Sequence, residues 1–294
     1  SSSGSGGFPH VSSSPSLRVL AMWWLVVAAG LYAFRGQIAK RVAPMLPELS
    51  PQKTAFYGHS LTLLSAVLFV LPLEFVGLGA VKRVFFLVSL WSTIVNAGLT
   101  LKANNGSPPF PEGSPFAVMK SMMSGGGGGP LQAWLQKAMM SMDFHFLFFA
   151  LIFVTAYPSI IPLLILCRRS LWAVGAHCTK APEDGGKLWA MFQPRWELLK
   201  AREEEVLHYS ALGEILLAFW LTASLFLPTR QMLTTFLYWN YLKTRYAVPR
   251  SQKLHDKAWK QLGQQVQPVL NMAPFLQKPI DMAKGWFQPT YRMG

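Results

Sequence analysis

The chain has 294 residues, 51% hydrophobic and only 14% charged, with 27 Lys and Arg against 13 Asp and Glu and a formal net charge of +14. This balance excludes an ordinary soluble domain and points to a bilayer as the solvent. The charge is local: nine cations follow residue 242 and face only Asp256 and Asp281, which points to anionic lipid headgroups before nucleic acid. The two cysteines, Cys167 and Cys178, form no CxxC and indicate neither a disulfide framework nor a zinc ribbon.

Residues 1–16, SSSGSGGFPHVSSSPS, have a disordered composition and no initial methionine, as expected of a fragment or a processed form. In 17–50, the apolar run Leu17–Phe34 followed by Arg35, Lys40 and Arg41 reads as a signal-anchor helix or signal-like segment with a linker. Residues 51–102 hold two apolar runs, about Ala55–Leu78 and Val84–Leu101, joined through Lys82 and Arg83, and read as a transmembrane hairpin. Residues 103–142, with NNGSPPFPEGSP and SGGGGGP, read as a Gly/Pro-rich flexible insertion carrying short Met-rich amphipathic pieces.

Residues 143–242 read as a membrane region. Its first apolar run, Phe144–Cys167, contains Tyr157-Pro158 and Pro162, which predict a bend or hairpin, because proline removes a helical hydrogen bond. A polar helical loop, 168–207, with seven cations and six acids, reads as a solvated face. The next run, from His208, breaks at Pro228 and resumes as QMLTTFLYWNYL, which predicts two tilted segments. Tyr238, Trp239 and Tyr241 are then expected as an interfacial aromatic belt, with Lys243 and Arg245 just outside it.

Residues 243–294 read as a basic amphipathic membrane-surface tail. On a helix, Leu254, Ala258, Leu262 and Val266 share a side with Trp259, while Lys253, Lys257 and Lys260 gather opposite. The same pattern also suits docking on protein. Cytosolic placement of Lys243–Lys260 follows from the positive-inside tendency. Arg168 and Arg169 then require the run 144–167 to return to the same face, unless the rule fails there.

Ionisable residues within apolar runs are the first candidates for a site, here Glu74, His145 and Glu214, with Asp143 and His208 nearby. None has a partner evident in the sequence, and hydrogen bonding between helices is the favoured reading over a proton or ion path. No catalytic triad, HExxH, P-loop or dinucleotide fingerprint occurs, and His177-Cys178 supply too few ligands for zinc. No enzymatic activity, cofactor or metal is expected.

Four stretches carry a family resemblance: FVLPL at 69–73, HFLFFALIFVTAYP at 145–158 with Tyr157 and Pro158, GEILL at 213–217 with Glu214, and FLYWNYLKTRY from 236. Together, over roughly 51–265, the chain resembles the transmembrane protein 33 family, which includes fungal pore-membrane nucleoporin-associated relatives. The resemblance implies a multi-pass protein of the endoplasmic reticulum and nuclear envelope without enzymatic activity. It also implies action with reticulon-type membrane-shaping proteins or nucleoporins, and a C-terminal membrane-binding segment. The segment 17–34 and the stretch 103–130 depart from the family pattern.

The expectation is an all-α polytopic membrane protein with proline-broken hairpins and a basic amphipathic C-terminal helix, compatible with an oligomer. It would bind anionic lipid membrane and no nucleic acid, and would shape or organise endomembranes. The rivals are a transporter or channel using Glu74, His145 and Glu214, and an accessory subunit of an organellar membrane complex.

Overall fold

The structure, a computed structural model, describes residues 50–76, 79–108, 130–227 and 230–272. The readings of 1–16 and of 17–49, the Gly run at 125–129 and the 273–294 part of the tail lie outside them. Among the described residues the chain forms nine α-helices and no strand: α1 (Pro51–Val70), α2 (Gly79–Asn105), α3 (Pro130–Met139), α4 (Met142–Val154), α5 (Ile160–Lys180), α6 (Pro182–Ala201), α7 (Glu203–Ser224), α8 (Met232–Tyr246) and α9 (Pro249–Met272).

Local chemistry sets several boundaries. Ser50 caps α1 by accepting from the Lys53 amide, with Pro51 at the first turn, and Ser141 caps α4 by accepting from the Phe144 amide at 3.2 Å. Glu203, Glu204 and Glu205 open α7, where the helix dipole favours acids. Gly186 takes φ 52°, a left-handed value suited to glycine, and kinks the start of α6.

α1 is inverted relative to a soluble helix. Its buried residues include His59, Thr62 and Ser65, while Tyr57, Leu61, Leu64 and Val67 are exposed. The polar side faces α2, where Ser89 Oγ donates to the Thr62 carbonyl and Ser92 Oγ to the Gly58 carbonyl at 2.6 Å. A Cβ on Gly58 would stand 2.2 Å from Asn96 Oδ1, so the Asn96 side chain of α2 fills the space that the glycine leaves. Small residues and hydroxyl bonds between helices are how helices associate in lipid. Exposed apolar stripes continue on α2 (Val84, Trp91, Val95) and α7 (Tyr209, Leu216, Trp220). By length and composition α2, α5 and α7 can cross a bilayer, three candidates, or four if α3 and α4, bent by 83°, form one broken span.

The contacts fix the chain's reversals. Phe69 meets Phe86 across the α1–α2 turn, with ring centroids 5.8 Å apart. Asp143 at the start of α4 pairs with Arg169 inside α5, so the chain doubles back at 155–159, beside Pro158. Trp239 of α8 donates to Thr222 of α7, and Thr235 to the Leu221 carbonyl, so α7 and α8 also double back. α1 and α5 run antiparallel, as shown by His59–Ser170 at 3.2 Å and by Phe56 stacked on His177 with centroids 4.5 Å apart. The Tyr157 amide donates to Gln231 Oε1, which brings the α4–α5 and α7–α8 turns together.

Within 103–142, α2 continues to Asn105, α3 is helical from Pro130, and Trp134 Nε1 donates to the Asn105 carbonyl. One sequence reading changes. The polar loop 168–207 is more than a solvated face. Its Trp189 and Trp196 pack with Phe56 and Cys178, and Trp196 lies so close to Gly175 that a Cβ there would meet the ring at 2.7 Å. Charge counting over that window concealed two buried tryptophans.

Candidate functional site

α4, MDFHFLFFALIFV, is apolar all round and therefore buried. Its Phe149 and Phe153 meet Tyr238 and Tyr241 of α8 edge-on at 5.5–6.0 Å. Tyr238 and Tyr241 are fully buried, and Arg245, one turn on, is 4% exposed. The interfacial-belt reading of these three residues is therefore corrected: a helix packed between α4 and α7 turns its rings inward, and the sequence run records their chemistry without their direction. Trp239 is half-buried through its bond to Thr222, and Lys243 is exposed.

Glu214 of α7 has close partners on two other helices, which the sequence did not identify. Its carboxylate, fully buried, accepts from Arg245 Nε at 2.5 Å and lies 3.3 Å from His255 Nε2 of α9. The Tyr238 hydroxyl donates to the Glu214 carbonyl at 2.9 Å. One acid thus ties α7, α8 and α9 together. Arg168 and Arg169 complete the surroundings: with Arg245 they stand 5.9, 4.5 and 5.5 Å from the centroid of the Phe146 ring, and Arg169 pairs with Asp143. Neighbouring arginines inside an apolar run were the available signal for this cluster. His145 is buried beside it, while Glu74 stands apart, paired with Lys82 at 2.6 Å near the α1–α2 turn.

α9 docks along α7 rather than standing free. Ser251, His255 and Ala258 are buried, Trp259 meets Phe219 at 5.9 Å, and His208 meets Gln261. Leu254, Trp259, Leu262 and Val266 are half-buried, so the side expected to enter lipid is partly occupied by protein, whereas Lys253, Lys257 and Lys260 are exposed. A second surface, missed in the sequence, lies on α6. Leu188, Met191 and Leu198 are exposed by 80%, 76% and 70%, beside the arc that packs through Trp189 and Trp196 and among Lys187, Arg195 and Lys200. The i, i+3 and i, i+7 spacing could have revealed it.

At the junction of α5 and α6, Asp184 accepts from His177 at 2.8 Å and pairs with Lys53 of α1. The hydrogen bond from His177, followed by that from Lys53, holds the Asp184 carboxyl below its ordinary range. Among the described residues no group of three or more His, Cys, Asp or Glu is placed to hold a metal ion.

The stretches from 145, 213 and 236 are distant in sequence yet form one core, in which ring meets ring and Glu214 meets Arg245. Residues 131–276 match the family described as Transmembrane protein 33/Nucleoporin POM33. The chain belongs to this family. The match, about half of the chain, takes in the whole Glu214–Arg245–His255 network and leaves α1 and α2 outside. No curated protein and no solved structure matches. A Transmembrane protein 33/Nucleoporin POM33 member with three or four apolar candidate spans is a membrane protein.

Proposed function

We propose that the chain is a non-enzymatic organiser of endoplasmic reticulum and nuclear envelope membranes, which it deforms through an apolar belt thinner than the bilayer. The supporting observation is a level of polar contacts crossing all the main helices: His59–Ser170, Gly58–Ser92, Asp143–Arg169 and Glu214–Arg245. Between this level and the turns lie Ser60–Val70 of α1, Phe144–Val154 of α4, Ile160–Cys167 of α5, Ile215–Ser224 of α7 and Met232–Thr244 of α8. At 1.5 Å per residue these are roughly 12 to 20 Å long. The hydrocarbon core is about 30 Å thick. The turn end carries Glu74, Lys82, Arg83 and Arg230, so both ends of the belt are polar. A bundle so mismatched either thins the bilayer around it or settles into one leaflet, and both impose curvature.

On the polar side, Leu188, Met191 and Leu198 of α6 enter the headgroup layer, and the α9 lysines lie against anionic lipid. Interfacial insertion there adds area to one leaflet. The family description favours nucleoporin-type partners, and the resemblance extends this to reticulon-type proteins. The deciding experiment reconstitutes the full chain in liposomes and measures both vesicle diameter and ion flux. Smaller or tubulated vesicles without flux are expected. Flux that is lost in Glu214→Gln, on vesicles of unchanged shape, would establish the transporter instead.

A further inference from the structure

Three arginines converge on Phe146 while only two carboxylates, Asp143 and Glu214, pair with them. Arg245 is engaged through Nε by Glu214, and Arg169 by Asp143, whereas Arg168 makes no ion pair among the described residues. Glu214, already paired with Arg245, and then Glu203 add only a longer-range field at Arg168. The cluster therefore holds one positive charge more than its partners neutralise. Burying such an excess costs several kcal/mol unless an anion completes it.

The donors left over agree with the charge count. Arg168 Nε, Arg169 Nη1 and Arg245 Nη1 are buried N–H groups with no acceptor among the described residues. Arg245 is 4% exposed, so bulk water does not serve it, while Arg168 and Arg169 are half-buried and leave a way in. We infer that Arg168, Arg169 and Arg245 form a binding site for one phosphate-class oxyanion, seated beside the Phe146 ring at the polar boundary of the bundle. Three guanidinium groups, each within 5.9 Å of one ring centroid and each with a spare N–H, suit a tetrahedral oxyanion that accepts charge-assisted hydrogen bonds. The anion is either a phospholipid headgroup or free phosphate. Only the first source rests on the membrane placement proposed above.

The test uses the full chain in phosphatidylcholine nanodiscs, with phosphatidic acid added to the disc in one arm and inorganic phosphate to the buffer in the other. Thermal unfolding is followed in both. A rise with phosphatidic acid alone identifies a headgroup site, and a rise with inorganic phosphate in neutral discs identifies a soluble anion site. In either case Arg168→Gln, which breaks no ion pair, should weaken the effect about ten- to a hundredfold in ligand concentration. Lys257→Gln with Lys260→Gln should preserve the phosphate response in neutral discs and, with phosphatidic acid, leave the Arg168-dependent part of the response in place. Should Arg168→Gln fail to fold, Arg168→Lys keeps the charge, loses the Nε donor and carries the same comparison. The site is disproved if neither arm stabilises the protein. It is equally disproved if the lysine variant loses the response while the Arg168 variants keep it, because the effect is then surface electrostatics.

Discussion

At Glu214 the carboxylate is sealed from water, so its ionised form depends on Arg245 and His255. Removing the charge leaves Arg245 buried and uncompensated, a loss of about 3–5 kcal/mol for a pair of this kind. Glu214→Gln is therefore expected to lower the unfolding temperature strongly, although an amide preserves the shape. Glu214→Gln combined with Arg245→Met should recover much of the loss, and a double-mutant cycle measures the coupling. Additive effects would show that the two side chains do not share one buried contact. The sequence marked Glu214 as costly but gave no partner, because Arg245 lies on another helix, 31 residues away. His255 was hidden for a related reason: its neighbours Lys253 and Lys257 drew attention to the opposite side of α9.

Helix existence was legible wherever apolar runs were long, and Pro158 falls between α4 and α5. The direction of each face was not legible. Period and composition are the same whether an apolar side meets lipid or another helix, so the sequence of α6 and of α9 left the direction of each apolar side open. For α6 the expected outcome is that Leu188→Ser, Met191→Ser and Leu198→Ser together leave unfolding nearly unchanged, since the three side chains are exposed beside the Trp189–Trp196 core. The same variant should lose much of the vesicle remodelling, because each buried apolar side chain is worth about 1.5–3 kcal/mol of insertion. Normal remodelling by a folded variant would remove α6 from the mechanism. For α9, changing Lys253, Lys257 and Lys260 to Gln removes roughly 3 kcal/mol of headgroup attraction and should weaken its surface contact with anionic vesicles about a hundredfold at low salt. This is read by hydrogen exchange along α9, with and without phosphatidylserine. Equal protection in both would mean that docking on α7 alone holds the helix.

The junction of α5 and α6 has its own pH response. The Asp184 carboxyl is held below its ordinary value of 3.8 by His177 and then Lys53, so the stability it contributes is present above that value and is lost as pH falls through the lower folded one. Acidification from pH 5 towards 3 should loosen the clasp between α1, α5 and α6 first, visible as faster hydrogen exchange around 182–187. Asp184→Asn should remove this pH dependence. If the variant keeps the acid response, other carboxylates cause it.

For the molecule as a whole, the thin belt and a full crossing place the same exposed residues at different depths. Leu99 on α2 and Tyr209 on α7 lie beyond the polar level, whereas Trp220 and Leu164 lie between that level and the turns. If α2 and α7 crossed over their full apolar length, Leu99 and Tyr209 would sit in hydrocarbon, and the Glu214–Arg245 level would lie near the bilayer centre. If the belt is roughly 12 to 20 Å, both residues lie among headgroups. Single cysteines at the four positions, in a chain with Cys167 and Cys178 replaced by Ser, separate the cases in liposomes. The expected result is that the Leu99 and Tyr209 positions react with a membrane-impermeant thiol reagent and are quenched by headgroup-level spin labels, while the Trp220 and Leu164 positions resist the reagent. Phe226, at the α7–α8 turn and 89% exposed, then reports how the mismatch is resolved. Reaction of its cysteine from the opposite side means a locally thinned bilayer. Protection from both sides, with quenching by labels at the acyl-chain ends, means insertion into one leaflet. Protection of the Leu99 and Tyr209 positions would overturn the thin belt, because it would put the polar level in mid-membrane, where buried ionisable groups belong to a conduction path.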